Sequence, residues 1–251
     1  IMNIYIDIET LRSDEQHKAQ LLEEVKANFK APSNLTKTQA AKDLGLDPKS
    51  EEVKFTAAAD LVKQWETELA EEKSSGVAHA KWEKTSFNPD VAPIACICML
   101  VDGRKYKFHI DDMTNEEEML QEFHITVDSL TSRHGTQVTK PMFVGHNLAK
   151  FDLPFIWKRS VIHGVTPCKG VKWVDARHGV NCFDTMTAWA GFGHTISADN
   201  LCKVLRIKGK TEGMDGSKVY DAWQENHQKV INYCMDDVEM VQEIHGRLTN
   251  A

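Results

Sequence analysis

Residues 3–9 read Asn-Ile-Tyr-Ile-Asp-Ile-Glu. Ile4, Ile6 and Ile8 alternate with Tyr5, Asp7 and Glu9, and a period of two marks a strand with one apolar face. Successive side chains on a strand point to opposite faces, so Asp7 and Glu9 share the face that the isoleucines leave. Two carboxylates on one rigid strand make a donor pair for a hard cation such as Mg²⁺ or Mn²⁺. Any strand with a polar outer face can carry Asp-x-Glu, so the pair alone decides little.

Working outward, residues 11–90 change character, becoming rich in Ala, Glu and Lys. Leu21, Leu22, Val25 and Phe29 fall at helical spacing, as do Ala58, Leu61, Val62, Trp65 and Leu69. This predicts two long helices and a short one near Thr38–Leu44, with Gly45 and Asp47-Pro48 as a break. Residues 91–101 form an apolar run that predicts a buried strand, Asp102-Gly103 is a hairpin turn, and Lys105–Ile110 is the returning strand. A helix is expected from Glu116 to about Arg133, a strand over Pro141–Gly145, and a helix from about Leu153 to Ile162. Another strand is expected over Val180–Phe183, then a helix capped by Ser197 and two more near Ser217–Gln224 and Asn226–Leu248. Five strands interleaved with helices predict an α/β fold whose mixed sheet is flanked by helices. The expected organisation is one domain over 1–251, with residues 12–88 as a helical insertion after the first strand.

The 251 residues are 41% hydrophobic and 27% charged, the make-up of a globular chain with a core. No apolar run reaches the roughly 20 residues of a membrane span. The N-terminus lacks a basic region followed by an apolar run, so the expected location is the cytoplasm, of a bacterial or phage-infected cell. Six cysteines form no Cys-x-x-Cys pair and predict buried thiols in a reducing compartment. The net charge of −7 argues against a protein that lives by coating nucleic acid. Between Lys140 and Glu212, however, eleven basic residues face five acidic ones, leaving −13 for the rest. A basic stretch in an acidic chain suits a local nucleic-acid track, or is a chance fluctuation.

Two further groups of acids stand out. Asn147-Leu148-Ala149-Lys150-Phe151-Asp152 follows the strand 141–145, where α/β proteins place chemistry. The plain reading of Asp152, just before a helix with Pro154 in its first turn, is a helix N-cap. Tyr233 and Asp237 lie four apart in the last helix and so share a face, while Asp236 points about 100° away. The plain reading there is a tyrosine beside an acidic solvent face.

Each pattern is weak alone. Together and in this order they resemble the DEDD superfamily of 3′→5′ exonucleases: Asp-x-Glu ending an N-terminal strand, Asn-x₃-Phe-Asp opening a helix, and Tyr-x₃-Asp on a final helix. Tyr233 marks the DEDDy branch; the position used by the histidine branch is Asn232 here. Asp7-Ile8-Glu9-Thr10 and the segment Val144-Gly145-His146-Asn147 through Phe151-Asp152-Leu153-Pro154-Phe155 look most like the proofreading exonuclease domains of family B DNA polymerases and their stand-alone phage and bacterial relatives. The resemblance covers residues 3–10 and roughly 91–248; residues 11–90 match nothing in the minimal domain.

The resemblance implies a ribonuclease H-like fold and two divalent cations, Mg²⁺ or Mn²⁺, held by Asp7, Glu9, Asp152 and Asp237. By analogy Asp7 bridges the two, Glu9 and Asp237 serve the nucleophile side, and Asp152 the other. Tyr233 would aim the attacking water. The family pattern sets the backbone of Thr10 and the side chain of Leu11 against the terminal nucleotide, with Asn147 and Phe151 lining the product site; the other reading of Leu11 and Phe151 is core packing. Lys150, Lys158 and Arg159 are candidate phosphate contacts, and Asp184 is read as structural support. The implied substrate is nucleic acid, with single-stranded DNA 3′ ends foremost and a polymerase or replication protein as candidate partner. An exoribonuclease uses the same acids, and a non-catalytic accessory module keeps the same fold.

Overall fold

The computed structural model describes residues 1–133, 136–209 and 214–250. The end of the basic stretch, Lys210 to Glu212, lies outside them. The chain divides into two compact units, Ile1–Arg12 with Ser86–Ala251, and Ser13–Thr85.

The first unit is built on a five-stranded sheet of β1 (Met2–Thr10), β2 (Ile94–Val101), β3 (Arg104–His109), β6 (Pro141–Gly145) and β7 (Cys182–Asp184), in the order β3-β2-β1-β6-β7. The alternation in β1 holds: Ile4, Ile6 and Ile8 are buried while Asp7 and Glu9 are half-buried. All eight residues of β2 are buried, as expected of an apolar strand covered on both faces. Asp102 and Gly103 both take positive φ, 47° and 78°, which a two-residue turn matched to strand twist requires. β1 pairs antiparallel with β2 and parallel with β6. The sheet is therefore mixed, and the C-terminal ends of β1 and β6 point the same way. A two-residue hairpin, β4 (Ser132–Arg133) with β5 (Thr136–Gln137), was not foreseen.

Helices α5 (Glu116–Thr131), α6 (Asp152–Ile162), α8 (Ala198–Leu205) and α10 (His227–Thr249) fall close to their expected places. Ser197 caps α8 by accepting the Asn200 N–H. The helix expected near Ser217–Gln224 is a 3₁₀ turn followed by α9 (Val219–Glu225). A further helix, α7 (Thr185–Ala190), starts where β7 ends. The strand expected from Val180 begins two residues later, because the Val180 and Asn181 N–H groups turn back to the Arg177 carbonyl. α10 packs on the Asp7–Glu9 side of the sheet: Tyr5 Oη lies 3.1 Å from His245 Nδ1, and Cys234 Sγ donates to the Asp7 carbonyl at 3.3 Å. The α/β architecture is ribonuclease H-like.

The second unit holds α1 (Glu15–Asn28), α2 (Lys37–Asp43), α3 (Glu51–Phe55) and α4 (Ala58–Glu83). α3 was not expected; Ser50 caps it through the Val53 N–H. Ala40, Ala41, Val53, Leu61 and Trp65 form the core, with Phe29 stacked on Trp65 and the indole N–H bonded to Asp43. No helix among the described residues is long and apolar enough to cross a membrane.

Candidate active site

The strand parity of β1 holds Asp7 and Glu9 side by side, and α10 carries Asp237 onto the same face. One carboxylate oxygen from each of Asp7, Glu9 and Asp237 lies within 4.8 Å of the others. Asp237 is buried while its neighbour Asp236 is exposed, so the 100° helical offset separates them as expected. Tyr233 lies one turn before Asp237 and is 5% exposed. Asn232 points outward, where it accepts from Lys107 and Gln228. The tyrosine position, not the histidine position, therefore belongs to the buried side of α10.

Asp152 does not act as an N-cap. It is the first residue of α6, and its Oδ1 accepts the Ile8 N–H at 3.2 Å across the sheet. Burial pushes its carboxyl up to about 8, and the nearby acids Asp184 and Asp237 add to the rise. A carboxyl in that setting is one that a cation would return to its charged form.

The loop after β6 is held by specific contacts. An added Cβ on Gly145 would lie 2.9 Å from Leu148 Cβ and Cδ1 and 3.2 Å from the Ile6 carbonyl, so only glycine permits this approach. His146 reaches Thr185 Oγ1 and the Ile196 carbonyl, each at 2.9 Å. Asn147 takes a left-handed φ of 60°, which asparagine tolerates better than most residues. Asp184 is fully buried and accepts four backbone N–H groups, from Asn147, Ala149, Met186 and Thr187. It caps α7 and clamps the Asn147 loop at once, which is a supporting task.

The remaining substrate candidates separate. Thr10 donates its hydroxyl to the Ser86 carbonyl at 2.7 Å. Leu11 is 1% exposed and belongs to the main core, so its side chain cannot meet a nucleotide; a register shift between Glu9 and Thr10 breaks the strand's alternation just before it. Arg159 is likewise no phosphate contact. Its guanidinium is buried against Glu116, with Nε 3.0 Å from Oε1, and also donates to the Pro89 carbonyl. Lys158 lies 3.7 Å from Asp90 at the surface. Phe151 packs edge-on against Phe87 at 6.3 Å between ring centres. Lys150 is exposed and lines a groove with Arg177, His178 and Phe192, which is 92% exposed. Arg177 and Phe192 were not singled out from sequence, since neither carries a motif.

The arrangement offers oxygen donors to hard cations at the C-terminal end of the parallel pair β1–β6. No curated protein matches the chain. Residues 86–241, more than half of it, match a family model described as a predicted 3′–5′ exonuclease related to the exonuclease domain of PolB. That match spans Asp152, Tyr233 and Asp237 and begins after Asp7 and Glu9. The chain belongs to this family of 3′–5′ exonucleases.

Proposed function

We propose that the protein shortens DNA from its 3′ end, single-stranded ends foremost, hydrolysing the terminal phosphodiester bond to release nucleoside 5′-monophosphates. The observation that carries the reading is the convergence of Asp7, Glu9 and Asp237 within 4.8 Å, with Asp152 buried close to Asp237. This all-oxygen donor set suits Mg²⁺ or Mn²⁺. Two such ions would be held by Asp7, Glu9, Asp152 and Asp237; when bound they would neutralise phosphate charge and lower the pKa of an attacking water.

The chain's own groups do the rest. Tyr233 orients the attacking water by a hydrogen bond, since a phenol with an ordinary pKa of about 10 is a poor base at neutral pH. Phe151 and Asn147 border the terminal nucleotide. Lys150, with Arg177 and Phe192, gives the strand both charge and a stacking surface. The Ser13–Thr85 unit supplies none of the acids and is proposed to guide long substrates or dock a replication partner. Replacing it by a short linker should spare dinucleotide hydrolysis and weaken cleavage of long strands; equal loss on both would make it part of the fold.

The test is incubation with 5′-labelled single-stranded DNA, duplex DNA and RNA in Mg²⁺, Mn²⁺ or EDTA. A ladder shortening from the 3′ end of DNA, absent in EDTA, is expected. Equal or faster loss of RNA would turn the reading to an exoribonuclease. Binding without cleavage would make the protein an accessory module.

A further inference from the structure

Three thiols meet beside the carboxylates. Cys96 and Cys98 are two apart on β2 and so project to one face. The antiparallel register sets Cys96 opposite Glu9 and Cys98 opposite Asp7, and Cys234 comes from α10 onto the same side. All three are 0% exposed, and their sulfurs lie within 4.8 Å of one another. Cys234 donates to the Asp7 carbonyl at 3.3 Å and Cys98 to the Ile231 carbonyl at 3.5 Å, and a thiol is a weak donor in both. The other cysteines, 168, 182 and 202, are buried and belong to no such group among the described residues.

The geometry points to a second cation site, a three-thiolate seat of Cys96, Cys98 and Cys234 for one soft d¹⁰ cation such as Cu⁺ or Cd²⁺. Three sulfurs around a cation at a metal–sulfur distance of about 2.3 Å lie about 4 Å apart. The sulfurs need to close by less than about 1 Å per pair, within the reach of side-chain torsions. Thiolates select soft cations, whereas carboxylates and water suit Mg²⁺, so the two neighbouring clusters sort metals by donor chemistry. Binding forms three metal–sulfur bonds and releases three thiol protons to solvent. The added negative charge lies across the strand pair from Lys107, which the register sets opposite Cys98.

The test uses the full chain in a non-thiol reductant with excess Mg²⁺, titrated with Cd²⁺ and followed by the ultraviolet thiolate-to-metal charge-transfer band. One Cd²⁺ per chain is expected. Cys98→Ser and Cys98→Val should each weaken binding by at least the 10- to 100-fold typical of perturbing a metal site's surroundings, to about that order. The two variants differ in polarity, so a folding defect in one, seen by circular dichroism, leaves the other to decide. Cys202→Ser should bind as wild type. A folded wild-type protein with no band at saturating Cd²⁺, an unchanged band in the Cys98 variants, or equal loss in Cys202→Ser would each overturn the site. The readout is independent of hydrolysis, so it stands or falls apart from the exonuclease reading on which Mg²⁺ occupancy rests.

Discussion

Two buried carboxylates of the sheet unit live in opposite surroundings. Glu116 is fully buried and meets Arg159, His163 and the Ile94 N–H. Asp152 is 3% exposed and accepts the Ile8 N–H, but the charged groups that shift it are acids, Asp184 and Asp237. The first acid has its cation, Arg159, built in. The second sits where a cation would have to come from solution. Burial alone therefore does not mark a functional acid; the sign of the neighbouring charges does.

The largest effect should come from the unneutralised cluster. Asp237→Ala should drop cleavage below background, a loss beyond the roughly 10²–10³-fold of removing a single transition-state hydrogen bond. Its stability in EDTA should hold, since one repelling charge is gone. Retained cleavage would dissolve the contrast with Glu116 outright.

The converse substitution acts on the other cluster. Arg159→Met strands the Glu116 charge in the interior and should cost about 3–5 kcal/mol in urea denaturation. Unchanged stability with weaker DNA binding would restore Arg159 as a phosphate contact. Tyr233→Phe should keep the fold and lower the hydrolysis rate about 10- to 1000-fold, measured as single-turnover release of the terminal nucleotide. Full activity in that variant would remove the tyrosine from the chemistry.

The smallest effect concerns cation-linked stability. A cation at ~100 times its dissociation constant adds about 2.7 kcal/mol to a fold that alone binds it. Mn²⁺ should raise the melting temperature of the wild type. Asp7→Asn should match or exceed wild type in EDTA and lose most of the Mn²⁺ shift. If Asp7→Asn instead melts well below wild type in EDTA and Mn²⁺ shifts both equally, Asp7 is structural, as Glu116 is.

Much of the sheet unit was legible because its patterns are local. β1 announces its faces by alternation, Asp102-Gly103 announces a turn, and β6 is found at its expected bounds. The acids were legible through their order along the chain. Arg159 was misread because Lys158-Arg159 looks like a basic pair. Yet Asp152, Phe155, Ile156 and Arg159 recur at helical spacing, and that stripe is the buried face of α6. Leu11 comes from the family pattern, and its other reading, core packing, is the one found, just past a register shift that no motif reveals. α7 is six residues long and begins on the cap that Asp184 provides, a contact set by the fold rather than by periodicity. The thiol cluster was half visible: Cys96-x-Cys98 follows strand parity, but Cys234 arrives from a helix far along the chain.

The order of the elements has a consequence in time. β1 must wait for β2 across the whole Ser13–Thr85 segment before the Glu9–Cys96 pairing can form, and such distant closures slow folding. Asp237 arrives later still, on α10. A chain emerging from the ribosome therefore carries its first acids long before its last. Until His227–Thr249 docks on the sheet, Asp237 is missing and the acidic cluster is incomplete.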